Sequence, residues 1–182
     1  AVVLHGDQPR EGGVEPRVRP HLEELEHAYA HAAVEIPPVM VTGADDVLPR
    51  LRDRGLAIGL ISNTGRTPGY ALRRVLENLG LAAYIDIMVF SNEHGVCKPQ
   101  RSIFEELRKG LDVDYGEMLF IGDNLHVDVY GAQRCGMRAV HCLPPVRGTA
   151  VAPPVVMEEE IVPHATVHSL SELLPIIETM QR

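Results

Sequence analysis

The length, composition and charge of this chain exclude several classes of protein. Its 182 residues are enough for about one domain, and 45% hydrophobic with 23% charged residues is typical of a globular chain with a core rather than of a disordered one. The 17 basic and 25 acidic residues give a net charge of −8, with no basic cluster to offset it, so we expect no nucleic-acid partner.

The apolar runs are too short to cross a membrane, and the first residues lack the basic-then-apolar layout of a signal peptide. Three cysteines, Cys97, Cys135 and Cys142, cannot all pair with one another, and their spacing matches no zinc site. We therefore expect reduced thiols, no membrane partner and a cytoplasmic location.

The first 36 residues differ in pattern from the rest. A short apolar run, Ala1–Leu4, passes into Gly, Pro, Arg and Glu. A helical pattern then places four apolar side chains on one face, at Leu22, Leu25, Tyr29 and Ala33. We interpret residues 1–36 as a lead-in and expect the core domain to occupy residues 37–182.

From Pro37 onward, helical patterns alternate with short apolar runs, which is typical of βαβ units in a buried parallel sheet. The predicted strands are Leu56–Ile61, Asp86–Phe90, Met118–Ile121 and Arg138–Cys142. The predicted helices are Asp45–Arg54, Pro68–Leu79, a helix through Ile103, Phe104 and Leu107 that closes at Gly110, Val127–Cys135, and Ser169–Met180. The proline-rich, acidic segment Pro144–Pro163 is expected to be a solvated loop. This order of elements predicts an α/β fold.

Polar residues follow the first predicted strand, and ligands of open parallel sheets bind at the carboxyl ends of strands. Ser62, Asn63 and Thr64 offer hydroxyl groups and backbone N–H groups at a strand-to-helix turn, an arrangement that can hold a phosphate. Taken singly, these residue types are also ordinary in turns and helix caps.

Two further groups follow the other strands. Asp123 and Asp128, five positions apart after the third predicted strand, can converge on a hard cation such as Mg2+. The alternative is that Asp123 ends the strand and Asp128 caps the helix. Lys98, after the second strand, could neutralise a phosphoryl group or hold a carboxylate ionised, although a solitary lysine ordinarily faces solvent.

The joint order of these groups resembles a known family. The strings LISNTG, VFSNEHGVCKP and LFIGDNLHVDVYGAQRCGM are similar to the second, third and fourth motifs of the haloacid dehalogenase-like hydrolases, over about Val39–Cys142. The resemblance implies a Rossmann-like, three-layer parallel sheet. It also implies an enzyme, a Mg2+-dependent phosphatase that acts on a small phosphate ester through an aspartyl-phosphate.

The resemblance implies a role for each candidate residue. Ser62 would hydrogen-bond the transferring phosphoryl group, and Asn63 and Thr64 would help through the turn. Lys98 would stabilise the nucleophile and the phosphoryl charge. Asp123 would bind Mg2+, and Asp128 would complete the metal shell directly or through water.

The family's first motif is a strand that ends in two aspartates with one residue between them. The first aspartate is the nucleophile, and the second is the general acid and base. No predicted strand of this chain ends in such a pair; the nearest imitation places His5 and Asp7 after the run Val2–Leu4. By the resemblance, residues 1–36 would be a remnant of a helical cap. The chain is then expected to be truncated and inactive by itself, because it lacks the nucleophile and the central strand.

Two other functions stay open at this point. The chain could be a non-catalytic binding or regulatory module of the same family, or a 2-haloacid dehalogenase that needs no metal; a homo-oligomer is also open. A missing central strand predicts a gap between the strands that end at Ser62 and Asp123. The gap would be filled by Ala1–Leu4, filled by a strand of another copy, or closed by direct pairing of the two edges.

Overall fold

A computed structural model describes residues 19–65, 67–143 and 160–180. The helices are α1 (Arg19–Glu35), α2 (Ala44–Asp53), α3 (Gly69–Asn78), α4 (Ser91–His94), α5 (Arg101–Leu111), α6 (Gly131–Cys135) and α7 (Leu173–Met180). The strands are β1 (Gly59–Ser62), β2 (Ile87–Phe90), β3 (Leu119–Gly122), β4 (Arg138–Cys142) and β5 (Ala165–Val167). The predicted α/β fold is confirmed.

The strands form two separate parallel sheets. β1 pairs with β2, while β3, β4 and β5 pair in that order. Within the described residues, β1 and β3 each lack a partner on the second edge. The expected interruption between the strands that end at Ser62 and Asp123 is therefore present, and direct closure of the two edges does not occur.

Helices cover both faces of the strands. One core cluster joins α5 and α6 to β1, β2 and β4 through the buried residues Ile103, Phe104, Leu107, Ala132, Ile61, Val89 and Ala139, and Phe120 of β3 packs against it. Two others place α2 and α7 over the opposite side, through Val47, Leu51, Leu173, Leu174, Val140 and Val167. This arrangement matches the three layers that the motifs imply, because each helix buries one apolar stripe against the strands.

Several element boundaries differ from the sequence-based prediction. β1 begins at Gly59 rather than at residue 56; just before it, the Ile58 N–H donates to the Asp86 carboxylate at 2.7 Å. The predicted helix from Val127 begins earlier, with a π-helical turn over Leu125–Tyr130. β5 was not predicted, and only its last residue, Val167, is fully buried, so its pattern is weak.

The remaining predictions concern α1 and segments that lie partly or wholly outside the described residues. α1 spans the predicted helical pattern and packs against α3, where Ala30 is buried. Most of the predicted loop Pro144–Pro163 and the run Ala1–Leu4 lie outside the described residues. No helix of the described ranges combines the length and apolar character that a membrane crossing needs.

Candidate active site at the carboxyl ends of the strands

Lys98 joins the two sheets at the carboxyl ends of β1 and β3. Its Nζ donates to Asp128 Oδ1 at 2.6 Å and to the backbone oxygen of Ile61 at 3.2 Å. The Lys98 side chain is 11% exposed and that of Asp128 only 4%. The lysine predicted from the third motif is thus largely buried and paired, rather than facing solvent.

Asn63 positions the backbone of Lys98. The Asn63 Nδ2 group donates to Lys98 O at 3.0 Å, and the Lys98 N–H donates to Asn63 Oδ1 at 2.8 Å. Both ends of the amide are therefore used by residue 98. The side chain fixes the lysine to the end of β1, which leaves the Asn63 backbone N–H for the predicted contact with phosphate.

Thr64 ties the same turn to α4. Its hydroxyl donates to Asn92 Oδ1 at 2.9 Å and lies 3.0 Å from Ser91 Oγ, and its N–H donates to Ser91 Oγ at 2.8 Å. The Asn92 N–H donates back to the Thr64 hydroxyl at 2.9 Å. These bonds occupy both the N–H and the hydroxyl group of Thr64. In this structure Thr64 therefore contributes to the shape of the turn that presents Ser62.

Asp128 is fixed by the turn that leads out of β3. Its Oδ2 accepts from the Asn124 N–H at 3.0 Å, and Asn124 Oδ1 accepts from the N–H groups of His126 and Val127, each at 3.0 Å. The asparagine thus caps the π-helical turn and holds the aspartate beside the strand. Gly122 is required here, because a Cβ at that position would overlap the Asp128 side chain.

Asp123 is exposed, and no described residue hydrogen-bonds its carboxylate. His141, 9% exposed at the end of β4, has Nε2 3.1 Å from the Asp123 backbone oxygen. A carbonyl only accepts, so Nε2 carries the proton. Burial raises the pKa of the neighbouring Cys142 thiol, and the charge of Asp123 raises it further. Sequence reasoning missed His141, although its place at a strand end was a usable signal.

These residues fit a hard divalent cation. The free carboxylate of Asp123 and the second lone pairs on the Asp128 oxygens are the oxygen donors that Mg2+ prefers. Two carboxylates against one lysine leave a net negative charge at this end of the strands. Within the described ranges, no group of three His, Cys, Asp or Glu residues is placed so that it could hold a metal ion.

The structure also accounts for the one Asp-x-Asp spacing in the chain, Asp112 and Asp114. Asp112 ends α5 in the left-handed conformation, with φ 53°. Asp114 forms a capping box with Glu117 just before β3 begins. Both lie at the amino end of β3, away from Lys98, so this pair is a pair of caps and not the first motif.

Comparison with known proteins gives consistent results. Residues 6–136 match the family model of the haloacid dehalogenase-like hydrolases. The glyceraldehyde 3-phosphate phosphatase of Pyrococcus abyssi is 37% identical over 100 residues, covering 55% of this chain and 41% of that protein. The ribulose-1,5-bisphosphate 5-phosphatase of Halopiger xanaduensis is 31% identical over 140 residues, covering 77% and 54%.

A solved structure shows the same likeness. The crystal structure of a phosphatase of this kind from Thermococcus onnurineus aligns with a TM-score of 0.59 at 30% identity, over 72% of this chain and 54% of that one. The chain spans about half the length of these relatives, between 41% and 54%.

Proposed function

The chain belongs to the haloacid dehalogenase-like hydrolases, and from this premise we propose that residues 37–182 form the core domain of a Mg2+-dependent phosphatase for small phosphate esters. Residues 1–36 are proposed to be a remnant of its helical cap. We also propose a cytoplasmic location, which the free state of Cys97, Cys135 and Cys142 supports.

The observation that carries this proposal is the position of Lys98. Its ammonium group bridges Ile61 O and Asp128 Oδ1, so it lies between the end of β1 and the end of β3. An ammonium group has three N–H donors, and these two bonds leave one for a phosphoryl oxygen. A largely buried cation at this place stabilises the charge that develops on a transferring phosphoryl group.

The neighbouring residues have complementary tasks. The Ser62 hydroxyl and the backbone N–H of Asn63 donate to phosphoryl oxygens, while the Asn63 side chain holds Lys98 in place. Asp123 and Asp128 hold Mg2+, Asp123 through its free carboxylate. When bound, Mg2+ supplies positive charge that polarises the phosphoryl group and neutralises its oxygens.

Hydrolysis through an aspartyl-phosphate needs a carboxylate nucleophile next to Lys98. Among the described residues, Asp128 is the one carboxylate within 4.0 Å of Lys98 Nζ, and its two oxygens are already engaged. His5, the imitation of a nucleophile in the sequence, lies outside the described residues. We therefore expect this chain alone to bind Mg2+ and a phosphate analogue but to hydrolyse an aryl phosphate little or not at all.

Titration calorimetry with MgCl2 tests the cation site. We expect heat of binding for the unmodified chain and none for Asp123→Asn. Asp112→Asn is the matched control, because asparagine tolerates the left-handed conformation of that exposed cap and Asp112 lies away from the site. Undiminished Mg2+ binding by Asp123→Asn would contradict the assignment.

Turnover separates the phosphatase from its alternatives. A non-catalytic binding module is supported by the lack of a strand ending in an aspartate pair within the described residues, and it predicts vanadate binding without turnover. A 2-haloacid dehalogenase predicts chloride release from 2-chloropropionate without Mg2+. Hydrolysis of an aryl phosphate that survives His5→Ala and is lost in Lys98→Ala would show that another group is the nucleophile.

A further inference from the structure

Two histidines of α1 lie one helical turn apart on the same face of the helix. His27 and His31 are four positions apart, and residues at this spacing are neighbours on a helix surface. The centroids of the two imidazole rings are 3.9 Å apart, with an interplanar angle of 72°. Neither ring has a task in the proposed phosphatase, so the pair is open to another role.

A hydrogen bond fixes which nitrogen of His31 is available. His31 Nδ1 lies 2.9 Å from the backbone oxygen of His27. A carbonyl only accepts, so Nδ1 carries the proton and the lone pair of the neutral ring is on Nε2. A histidine that binds a metal through one nitrogen commonly donates the other N–H to a backbone carbonyl, which sets its tautomer and its orientation. His31 therefore has the supporting hydrogen bond of a metal ligand.

The surroundings of the pair hold one ring and leave the other free to adjust. His31 is half-buried, and its ring centroid lies 5.8 Å from that of Tyr70 in α3. His27 is exposed, so rotation about its side-chain bonds can bring one of its nitrogens toward Nε2 of His31. Two nitrogens that each bind one Zn2+ at about 2.0–2.1 Å lie about 3–4 Å apart. The two rings are close enough to reach this separation.

Two imidazoles select the kind of ion. Imidazole nitrogen suits Zn2+, Ni2+ and Cu2+, whereas Mg2+ prefers oxygen ligands. Two histidines at this spacing on one helix face also supply two of the zinc ligands in the His-Glu-x-x-His motif. Among residues 19–65, 67–143 and 160–180, no third His, Cys, Asp or Glu is placed to join the pair, so water completes the coordination shell.

We propose that His27 and His31 form a binding site for a divalent transition-metal ion such as Zn2+, separate from the Mg2+ site at Asp123 and Asp128. The ion bridges one turn of α1 through Nε2 of His31 and one nitrogen of His27. The net charge of −8 favours the approach of a cation. The proposal does not rest on the phosphatase function, because α1 lies outside the proposed core domain.

An NMR titration of the imidazole signals with ZnCl2 tests the proposal on the whole chain. MgCl2 is present throughout to occupy the carboxylate site, and Cys97→Ser removes an exposed thiol that could also bind Zn2+. The signals of His27 and His31 should shift together and reach saturation, while those of His21 stay in place. His21 is the internal control, because its side chain is 78% exposed on the same helix but Leu25 lies four positions later.

Two variants distinguish a chelate from two independent histidines. His31→Ala should weaken Zn2+ binding, followed at His27, by about tenfold or more, since even outer-shell partners of a metal contribute this much. Combining His31→Ala with Ala32→His keeps the number of histidines but turns one of them by about 100° around the helix. This double variant, changed at an exposed alanine, should bind as weakly as His31→Ala. Circular dichroism reports whether each variant is folded.

A second measurement needs no variant of α1. A bridging ion holds one turn in the helical conformation, so the amides of α1 should exchange more slowly with ZnCl2 than without it. The proposal is overturned if Zn2+ leaves the His27 and His31 signals unchanged, or if it shifts those of His21 equally. Binding by the folded double variant that is as tight as that of the original pair would overturn it too.

Discussion

Removal of the Lys98 ammonium group should destabilise the fold strongly. In Lys98→Met the aliphatic stem is largely kept, but Asp128, 4% exposed, loses its cationic partner. The carboxylate then retains one hydrogen bond, from the Asn124 N–H at 3.0 Å. Leaving a buried charge unpaired costs about 3–5 kcal/mol.

An exposed ion pair of almost the same length provides the control. Arg54 and Glu178 are 2.7 Å apart, against 2.6 Å for Lys98 and Asp128, but their side chains are 35% and 55% exposed. Arg54→Met should cost less than about 1 kcal/mol, because solvent screens an exposed pair. The two substitutions therefore separate the effect of burial from that of distance.

Urea unfolding followed by circular dichroism measures both losses in the free energy of unfolding, and thermal unfolding followed in the same way measures the changes in Tm. For a chain of this size, the loss in Lys98→Met corresponds to a fall in Tm of roughly 6–20 °C. In the Asp128→Asn background the same substitution should cost about 2 kcal/mol less, since no buried charge is left behind. The reasoning is refuted if Lys98→Met costs no more than Arg54→Met.

Three further predictions concern single side chains. Ser62→Ala should weaken vanadate binding in titration calorimetry by about 1–3 kcal/mol, the usual loss of a hydrogen bond to a charged group, and unchanged affinity would leave Ser62 a turn residue. His141→Phe should lower Mg2+ affinity about tenfold in a folded protein, because the Asp123 carbonyl loses its donor; full affinity would contradict this positioning role. Hydrogen bonds from Arg108 and Tyr115 lower the pKa of Glu105 from 4.5 to about 2, so the stability it adds is complete above pH 4.5 and is lost as the pH falls toward 2. The difference in urea midpoint between the unmodified chain and Glu105→Gln should shrink over that window, and a constant difference would argue against the shift.

The sequence by itself determined the class of fold and the strand ends that carry polar residues. Hydrophobic period distinguishes helices from buried strands, and four of the five strands of the described chain were predicted to within three residues of their observed bounds. β5 was missed because three residues with one buried side chain give no readable pattern. Chain order alone then placed Ser62, Lys98 and Asp123 at one end of the sheet, because parallel strands share that end.

The tertiary structure decided how these residues act on one another. Three hydrogen bonds show this: the Asn63 amide bonds to Lys98, Thr64 bonds to Asn92 of α4, and His141 bonds to the Asp123 carbonyl. Each joins residues that lie 18 to 35 positions apart in the sequence. The tertiary structure also decided the separation of the strands into two sheets. Periodicity reports that a side chain is buried, but the partner it meets depends on how distant elements pack, and that information is not local in the sequence.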